Sequence, residues 1–304
     1  AYVPLDPSYP NARLECMLED SDVMYLLSQS HLGSIVSGYD GGVINLDTDW
    51  HMIESELTVN PRCTIQPDSL IYVIYTSGST GNPKGSAVKH SNVVNLYHWY
   101  QKTFLQANSR TIVCSALGFD LTQKNIWSSL LASSLVVVPG GRGNEIDEFI
   151  SAIDKSKVTI LNCAPSLLYG LIFERKNWPI LRSLKFIILG GDYIEKQKLD
   201  EWWDSDFCSA EIINSYGPTE CSDVVSIYKL KKSDIRVPIG KAINNIKLYL
   251  CNAKMELVPI GVVGEMHIGG ACLGAGYIGA PTLTAQKFIE NPFDDGEYNR
   301  LYKT

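Results

Sequence analysis

The sequence has no initiator Met, no CxxC pair, no basic excess and no apolar run near the ~18 residues that cross a bilayer. Each lack removes a class of function. With 33 Asp and Glu against 26 Lys and Arg, the net charge of −7 supplies no basic face for phosphate backbones, so a nucleic-acid partner is not expected. The absence of a long apolar run argues against a membrane partner. The opening AYVPLDPSYP lacks the basic start and apolar centre of a leader peptide, and the chain is expected to be a piece of a larger polypeptide. Five histidines are too scattered to form zinc-finger spacing with the eight cysteines. Cys114 in TIVCSAL and Cys163 in VTILNCA read instead as small buried hydrophobes, which suits a reducing, cytoplasmic compartment.

What is present is a globular composition. The 304 residues are 45% hydrophobic and 19% charged, enough for one large or two medium domains. From Ser69 to about Tyr216, short runs rich in Val, Ile, Leu and Tyr end in Gly, Pro, Ser or Asn: LIYVIYT, TIVCSAL, SLVVVP, VTILNCA, LKFIILGG and AEIINSYG. That is strand punctuation. Between them, SNVVNLYHWYQKTF predicts a helix capped by Ser91, and NEIDEFISAIDKSK sets residues 146, 149, 150 and 153 on one helical face. The fold class is therefore α/β, with a mostly parallel sheet flanked by helices. After about Val225 the sequence turns rich in Gly and β-formers, which predicts a smaller, antiparallel, barrel-like part over 225–304 beside an α/β part over 1–224. A last helix is expected near Thr282 or Thr284, in TLTAQKFI.

YTSGSTGNPKG (75–85) follows the first of the apolar runs. Loops at the carboxyl ends of α/β strands bring backbone N–H groups to phosphate oxygens. Thr76, Ser77, Ser79 and Thr80 add hydroxyl donors, Gly78 and Gly81 permit sharp turns, and Lys84 adds positive charge. The spacing is not that of a Walker loop, because Lys84 is followed by Gly85 rather than Ser or Thr. A surface hairpin of small residues fits the same letters.

The wider pattern resembles the adenylate-forming superfamily, which includes acyl-CoA synthetases, luciferases and the adenylation domains of nonribosomal peptide synthetases. YTSGSTGNPKG is similar to its phosphate loop, INSYGPTE (213–220) to its adenine and magnesium motif, and GEMHIGGACLGAGYIGAPTLTAQKFIENPF (264–293) to its glycine-rich segment. AYVPLDPSYP and the final LYKT match in the same order, so the resemblance covers nearly the whole chain. It implies the large N-terminal subdomain of that fold. The implied reaction joins ATP and a carboxylic acid into an acyl-adenylate and pyrophosphate. Thr76, Ser77, Gly78, Ser79, Thr80, Gly81 and Lys84 would cradle the β- and γ-phosphates. Thr219 would meet the α-phosphate and Glu220 would help hold Mg2+. Tyr216 would stack on adenine, with Asn214, Gly191 and Gly217 in the same nucleotide site. Lys84, Thr219 and Glu220 are the implied catalytic set.

In LGFDLTQKNIW (117–127), Asp120 stands where the peptide-synthetase branch carries the Asp that pairs with the α-ammonium of an amino acid. An acyl substrate would leave that carboxylate without a partner. A second reading makes Asp120 a helix cap. Matching the rest of the pocket gives Leu121, Lys124, Asn162, Ile188, Gly190, Ser215, Asp223 and Val224 as substrate-binding residues. So polar a lining favours a polar side chain. A free Lys124 would select glutamate or aspartate, the reading taken here. A Lys124 neutralised by Asp223 would select a neutral group such as the amide of Gln or Asn, and a Lys124 turned outward would line the wall with its stem alone.

The resemblance also implies phosphopantetheine on a partner carrier domain, a condensation domain in the same synthetase and, as a further partner, an MbtH-like helper. The family pattern continues as TGD past Thr304, with an Asp on the ribose, and into a C-terminal subdomain carrying a lysine. Both are absent here, so the 304 residues alone are expected to adenylate slowly and to lack thioester transfer. Ala275 replaces a frequent Arg and Asp192 a commoner Glu. The rival readings are an acyl- or aryl-CoA synthetase and a non-catalytic nucleotide-binding fragment.

Overall fold

The structure is a computed structural model. It describes all residues except 37–38, 78–82, 141–144, 295 and 297, together with the side chains of 34–36. The expected parallel sheet is present. Its seven strands run in the order Lys241–Ala242, Ser226–Lys229, Glu211–Tyr216, Phe186–Leu189, Ile160–Cys163, Arg110–Ile112 and Leu135–Val137. The last five are mutually parallel and the first two add on antiparallel. Helices Asp120–Leu131, Glu145–Ser156, Pro165–Phe173 and Gln197–Trp203 connect successive parallel strands.

Strands buried on both faces carry apolar residues at both phases of the pleat. Ile160, Ile188 and Ile213 pack toward Trp99, Tyr100 and Phe104 of the helix His90–Phe104. Leu161, Ile187, Leu189 and Ile212 face the other way, toward Ile153, Leu168 and Trp202. In the helix Glu145–Ser156, Phe149, Ile150 and Ile153 are buried and Ile146 packs beside them, as the 3.6-residue period predicts.

Several expectations change. Ser91 does not cap its helix, which begins at His90; Asn92 Oδ1 accepts from the Lys89 backbone N–H at 3.0 Å and closes the first turn. The last helix runs Pro281–Lys287, using Pro at its first position, and 288–290 is already strand. The largest correction concerns the glycine loop. Leu70–Thr76 is not a strand of the parallel sheet; it pairs antiparallel with Lys84–Lys89, Thr76 opposite Lys84, in a separate three-stranded sheet completed by Gly276–Tyr277. Residues 77–83 are too few for the crossover that a parallel pairing needs, roughly a dozen or more. The loop is thus a hairpin connection.

The change of texture at 225 falls within the central sheet, whose outer strands are 226–229 and 241–242. The four-stranded antiparallel sheet beyond it has the order Ile246–Cys251, Glu265–Gly270, Arg300–Lys303, Phe288–Glu290. Among the described residues, no helix is long and apolar enough to cross a membrane.

Candidate active site

Three adjacent parallel strands end side by side, and their ends carry the predicted residues. Asn162 stands opposite Ile188 in the register, and Leu189 opposite Asn214. Ile188 and Asn162 are buried, as are Gly190 and Ser215. Ser215 Oγ donates to the Leu189 carbonyl at 3.1 Å, tying two strand ends together. Asn214 Nδ2 donates to the Pro238 carbonyl at 2.8 Å, and Tyr216, two residues on and on the same face of the pleat, is half-buried. Gly191 turns the chain out of the sheet with φ +83°, a conformation that favours glycine, and its open side meets no atom within 4 Å of an added Cβ.

The loop after Tyr216 is held under strain. Ser222 and Asp223 are consecutive non-glycine residues in the left-handed region, with φ 57° and 76°. Such a pair persists only where surroundings fix it. Here Ser222 Oγ donates to the Cys272 carbonyl at 2.9 Å and Val225 N donates to the Tyr216 carbonyl at 2.8 Å. Gly217 makes the turn possible, since a Cβ there would lie 1.9 Å from the Asp223 carbonyl oxygen. Gly217→Ala is therefore expected to cost at least about 1–3 kcal/mol of stability by overpacking against backbone, read as a lower denaturant midpoint.

That turn delivers Asp223 to Lys124. Lys124 Nζ lies 2.7 Å from Asp223 Oδ2, with the lysine side chain 0% and the aspartate 10% exposed. The Tyr100 ring centroid lies 5.4 Å from the same ammonium. The pairing answers the question left open by sequence: Lys124 is neither free nor turned to solvent. Leu121 sits half-buried one helical turn away, and Val224 is buried beside Asp223.

Asp120 opens the helix that carries Lys124. The N-cap is Phe119, one residue earlier, and Asp120 Oδ1 accepts from the Leu121 N–H at 2.8 Å. Burial and the neighbouring Asp223 charge raise its carboxyl to about 7, against the weaker opposing pull of the Thr219 hydroxyl, the Leu121 N–H and Lys124. The carboxyl thus lacks a compensating cation of its own.

Lys84 and the turn at 219–221 are joined through Tyr277, which sequence reasoning did not single out. Its hydroxyl donates to Glu220 Oε1 at 2.5 Å, and its ring centroid lies 5.8 Å from Lys84 Nζ. Tyr277 is fixed by pairing opposite Ser86 and by an N–H bond to Thr284 Oγ1 at 2.9 Å. Burial and Glu220 push its phenol well above the ordinary tyrosine value, so it stays a donor. Lys84 and Glu220, far apart in sequence, are brought to one ring. Thr219 lies half-buried in the same turn, Thr76 is half-buried opposite Lys84, and Ser77 is exposed. Gly78, Ser79, Thr80 and Gly81 lie outside the described residues.

Glu220 is 8% exposed and has no ion-pair partner among the described residues. A buried carboxylate of that kind fits a hard cation. No cluster of three His, Cys, Asp or Glu able to hold a metal occurs among the described residues. A single carboxylate suits Mg2+, which takes one or two carboxylates plus substrate oxygens, rather than an all-protein metal cage.

Comparison with known proteins gives the family and the fold. The chain matches the family described as AMP-binding enzyme over residues 1–278. It is 36% identical over 307 residues to a linear gramicidin synthase of Brevibacillus parabrevis, and 36% over 316 residues to a mycosubtilin synthase of Bacillus subtilis. All of this chain is covered in both, but it spans only 4% and 12% of those relatives. Among solved structures, the nonribosomal peptide synthetase FmoA3 in its AMPPNP-bound form superposes with TM-score 0.88 at 29% identity, covering 100% of this chain and 32% of the other. The N-terminal subdomain of NpsA from Klebsiella oxytoca superposes with TM-score 0.83 at 22% identity, covering 99% and 75%. The chain belongs to the AMP-binding enzyme family and has the fold of the N-terminal subdomain of its adenylate-forming members.

Proposed function

We propose that this chain activates an α-amino acid with ATP, giving aminoacyl-AMP and pyrophosphate, for loading as a thioester onto a phosphopantetheine-bearing carrier domain in nonribosomal peptide synthesis. The observation that supports it best is Asp120: a largely enclosed carboxyl without its own cation, held by the Thr219 hydroxyl and the Leu121 N–H and repelled by Asp223. An α-ammonium completes it. An amine-free acid would leave it uncompensated.

In this reading the chain works by charge compensation and positioning. Lys84 neutralises the β- and γ-phosphates, with Thr76, Ser77 and the loop residues Gly78, Ser79, Thr80 and Gly81 as further donors. Tyr216 packs against adenine, with Asn214, Gly191 and Gly217 shaping that pocket. Thr219 approaches the α-phosphate. Glu220 holds Mg2+, which would supply positive charge to the phosphate oxygens. Asp120 orients the amino acid so that its carboxylate oxygen attacks the α-phosphorus, forming the acyl–phosphate bond as the bond to pyrophosphate breaks. Leu121, Lys124, Asn162, Ile188, Gly190, Ser215, Asp223 and Val224 line the side-chain pocket, which is polar. The glutamate or aspartate reading needed a free Lys124; its ion pair to Asp223 removes that support. The condensation domain and an MbtH-like helper belong to the proposed partners. Eight unpaired cysteines support a reducing, cytoplasmic setting.

Tyr277 is expected to orient Glu220. Tyr277→Phe should weaken Mg2+–ATP binding roughly tenfold, as loss of an outer partner of a metal ligand does, while leaving amino-acid KM unchanged. Calorimetric titration with Mg2+–ATP checks this, and unchanged affinity would contradict it.

The raised Asp120 carboxyl sets a pH dependence with a definite sign. Ammonium binding needs the carboxylate, so affinity rises as pH rises through about 7. Between about pH 5.5 and 7.5, where the substrate ammonium stays largely protonated, amino-acid KM should fall roughly 20-fold. Asp120→Asn should flatten the profile. The test of the function itself is ATP–pyrophosphate exchange dependent on an added amino acid.

A further inference from the structure

The inference rests on the amino-acid-activating reading and adds the class of side chain. Charge can be tallied around the inner pocket. Asp120 and Asp223 are negative and Lys124 is positive, and the α-ammonium of the substrate brings a second positive charge. With the α-carboxylate turned out toward the α-phosphorus, the sum is zero only if the side chain is neutral. The facing groups from the helix His90–Phe104 and the strand Leu70–Thr76 do not alter it, because Tyr72, Tyr97 and Tyr100 are buried phenols whose protons burial holds well past neutrality. A side-chain carboxylate would enter as a surplus anion beside an ammonium already paired at 2.7 Å.

Hydrogen-bonding capacity narrows the class further. Lys124 Nζ and Asp223 Oδ2 lie close as ions, yet neither makes a hydrogen bond of good geometry. The hydroxyls of Tyr97 and Tyr100 are buried without partners. Asn162 Nδ2 donates to Asn125 Oδ1 at 2.7 Å, and Asn125 Nδ2 donates to the Asn162 carbonyl at 3.3 Å. That ring of bonds leaves Asn162 Oδ1 as an acceptor with no donor. Asn162 shares a face of its strand with Ile160, which packs into the same core as Tyr97 and Tyr100, so the orphan acceptor and the unpartnered hydroxyls lie on one side of the sheet. The site offers unpartnered donors together with an unpartnered acceptor. Sealing them against an apolar side chain would leave them unsatisfied, at on the order of tenfold in affinity for each group.

We infer that the pocket selects a carboxamide side chain, that of asparagine or glutamine, with its carbonyl accepting from Lys124 and the Tyr100 hydroxyl and its NH2 donating to Asn162 Oδ1. The side chain then completes the polar network instead of adding charge to it. Tyr100 becomes a specificity residue, a role that its place on a core helix hides in the sequence.

The experiment is amino-acid-dependent ATP–pyrophosphate exchange, on the native polypeptide that contains these residues, across all twenty amino acids. Asparagine or glutamine should lead, exceeding its acidic counterpart by on the order of 10²–10³-fold in kcat/KM. Replacing the ion pair in the double variant Lys124→Met with Asp223→Leu should move preference toward an apolar residue of similar length, and Tyr100→Phe should lower the amide-to-leucine ratio about tenfold. Exchange led by glutamate or aspartate, by serine or threonine, or by an apolar residue in the unaltered protein overturns the carboxamide assignment while leaving amino-acid activation standing. Silence with every amino acid, but exchange with an amine-free acid, overturns both.

Discussion

Asp120→Asn should reduce kcat/KM for amino-acid-dependent exchange by about 10²–10³-fold while leaving ATP affinity unchanged. The size follows from truncating one partner of a desolvated, hydrogen-bonded charge pair, which costs about 2–5 kcal/mol. The same substitution should not destabilise the fold. Because burial and Asp223 raise the Asp120 carboxyl to about 7, its charged form is disfavoured in the folded chain. Stability linked to this group is full at low pH and is lost as pH rises through about 7. The Asn variant should therefore gain stability relative to the unaltered protein on the alkaline side of 7. Lost function with held or gained stability is the mark of a residue kept for its ligand. If Asp120 served only the helix start, where its Oδ1 meets the Leu121 N–H, Asn would keep most of that role and exchange would be nearly unaffected.

The second large effect concerns the ion pair. Lys124→Met alone leaves Asp223 buried and uncompensated, beside an Asp120 that already repels it, and should cost about 3–5 kcal/mol of folding stability. Asp223→Leu alone should cost a similar amount, by stranding an ammonium that is 0% exposed. Combining the two should recover most of the loss, because an apolar pair of similar volume removes both desolvation penalties. Denaturant unfolding of the four proteins gives the coupling as a double-mutant cycle. Additive losses would show that the two groups do not hold each other.

The strand runs ILNC, FIIL and EIINSY were legible because strands buried on both faces leave little choice of residue. The helix over 145–156 was legible from its period. Lys84–Lys89 was not, because KGSAVK lacks a β-branched run and owes its strand state to pairing with Leu70–Thr76 and Gly276–Tyr277. The short connection at 77–83 was the available signal, since it excludes a parallel crossover. Asp120, Asn162 and Ser215 could be placed in a pocket by motif, but motif spacing says nothing of which way Lys124 points. Its partner comes from a strained turn far along the chain, and Tyr100 from a helix whose aromatic residues read as core. Tyr277 was hidden for the same reason: its role depends on one hydroxyl reaching Glu220, a contact that no local pattern encodes.

The measurement that bears most directly on the central claim compares an amino acid with its own des-amino acid in ATP–pyrophosphate exchange. Exchange is predicted to follow the amino acid and to be on the order of 10²-fold weaker without the ammonium, with Asp120→Asn erasing the difference. Equal exchange with both acids, untouched by Asp120→Asn, would contradict amino-acid activation and would return the chain to the acyl-activating branch of its family.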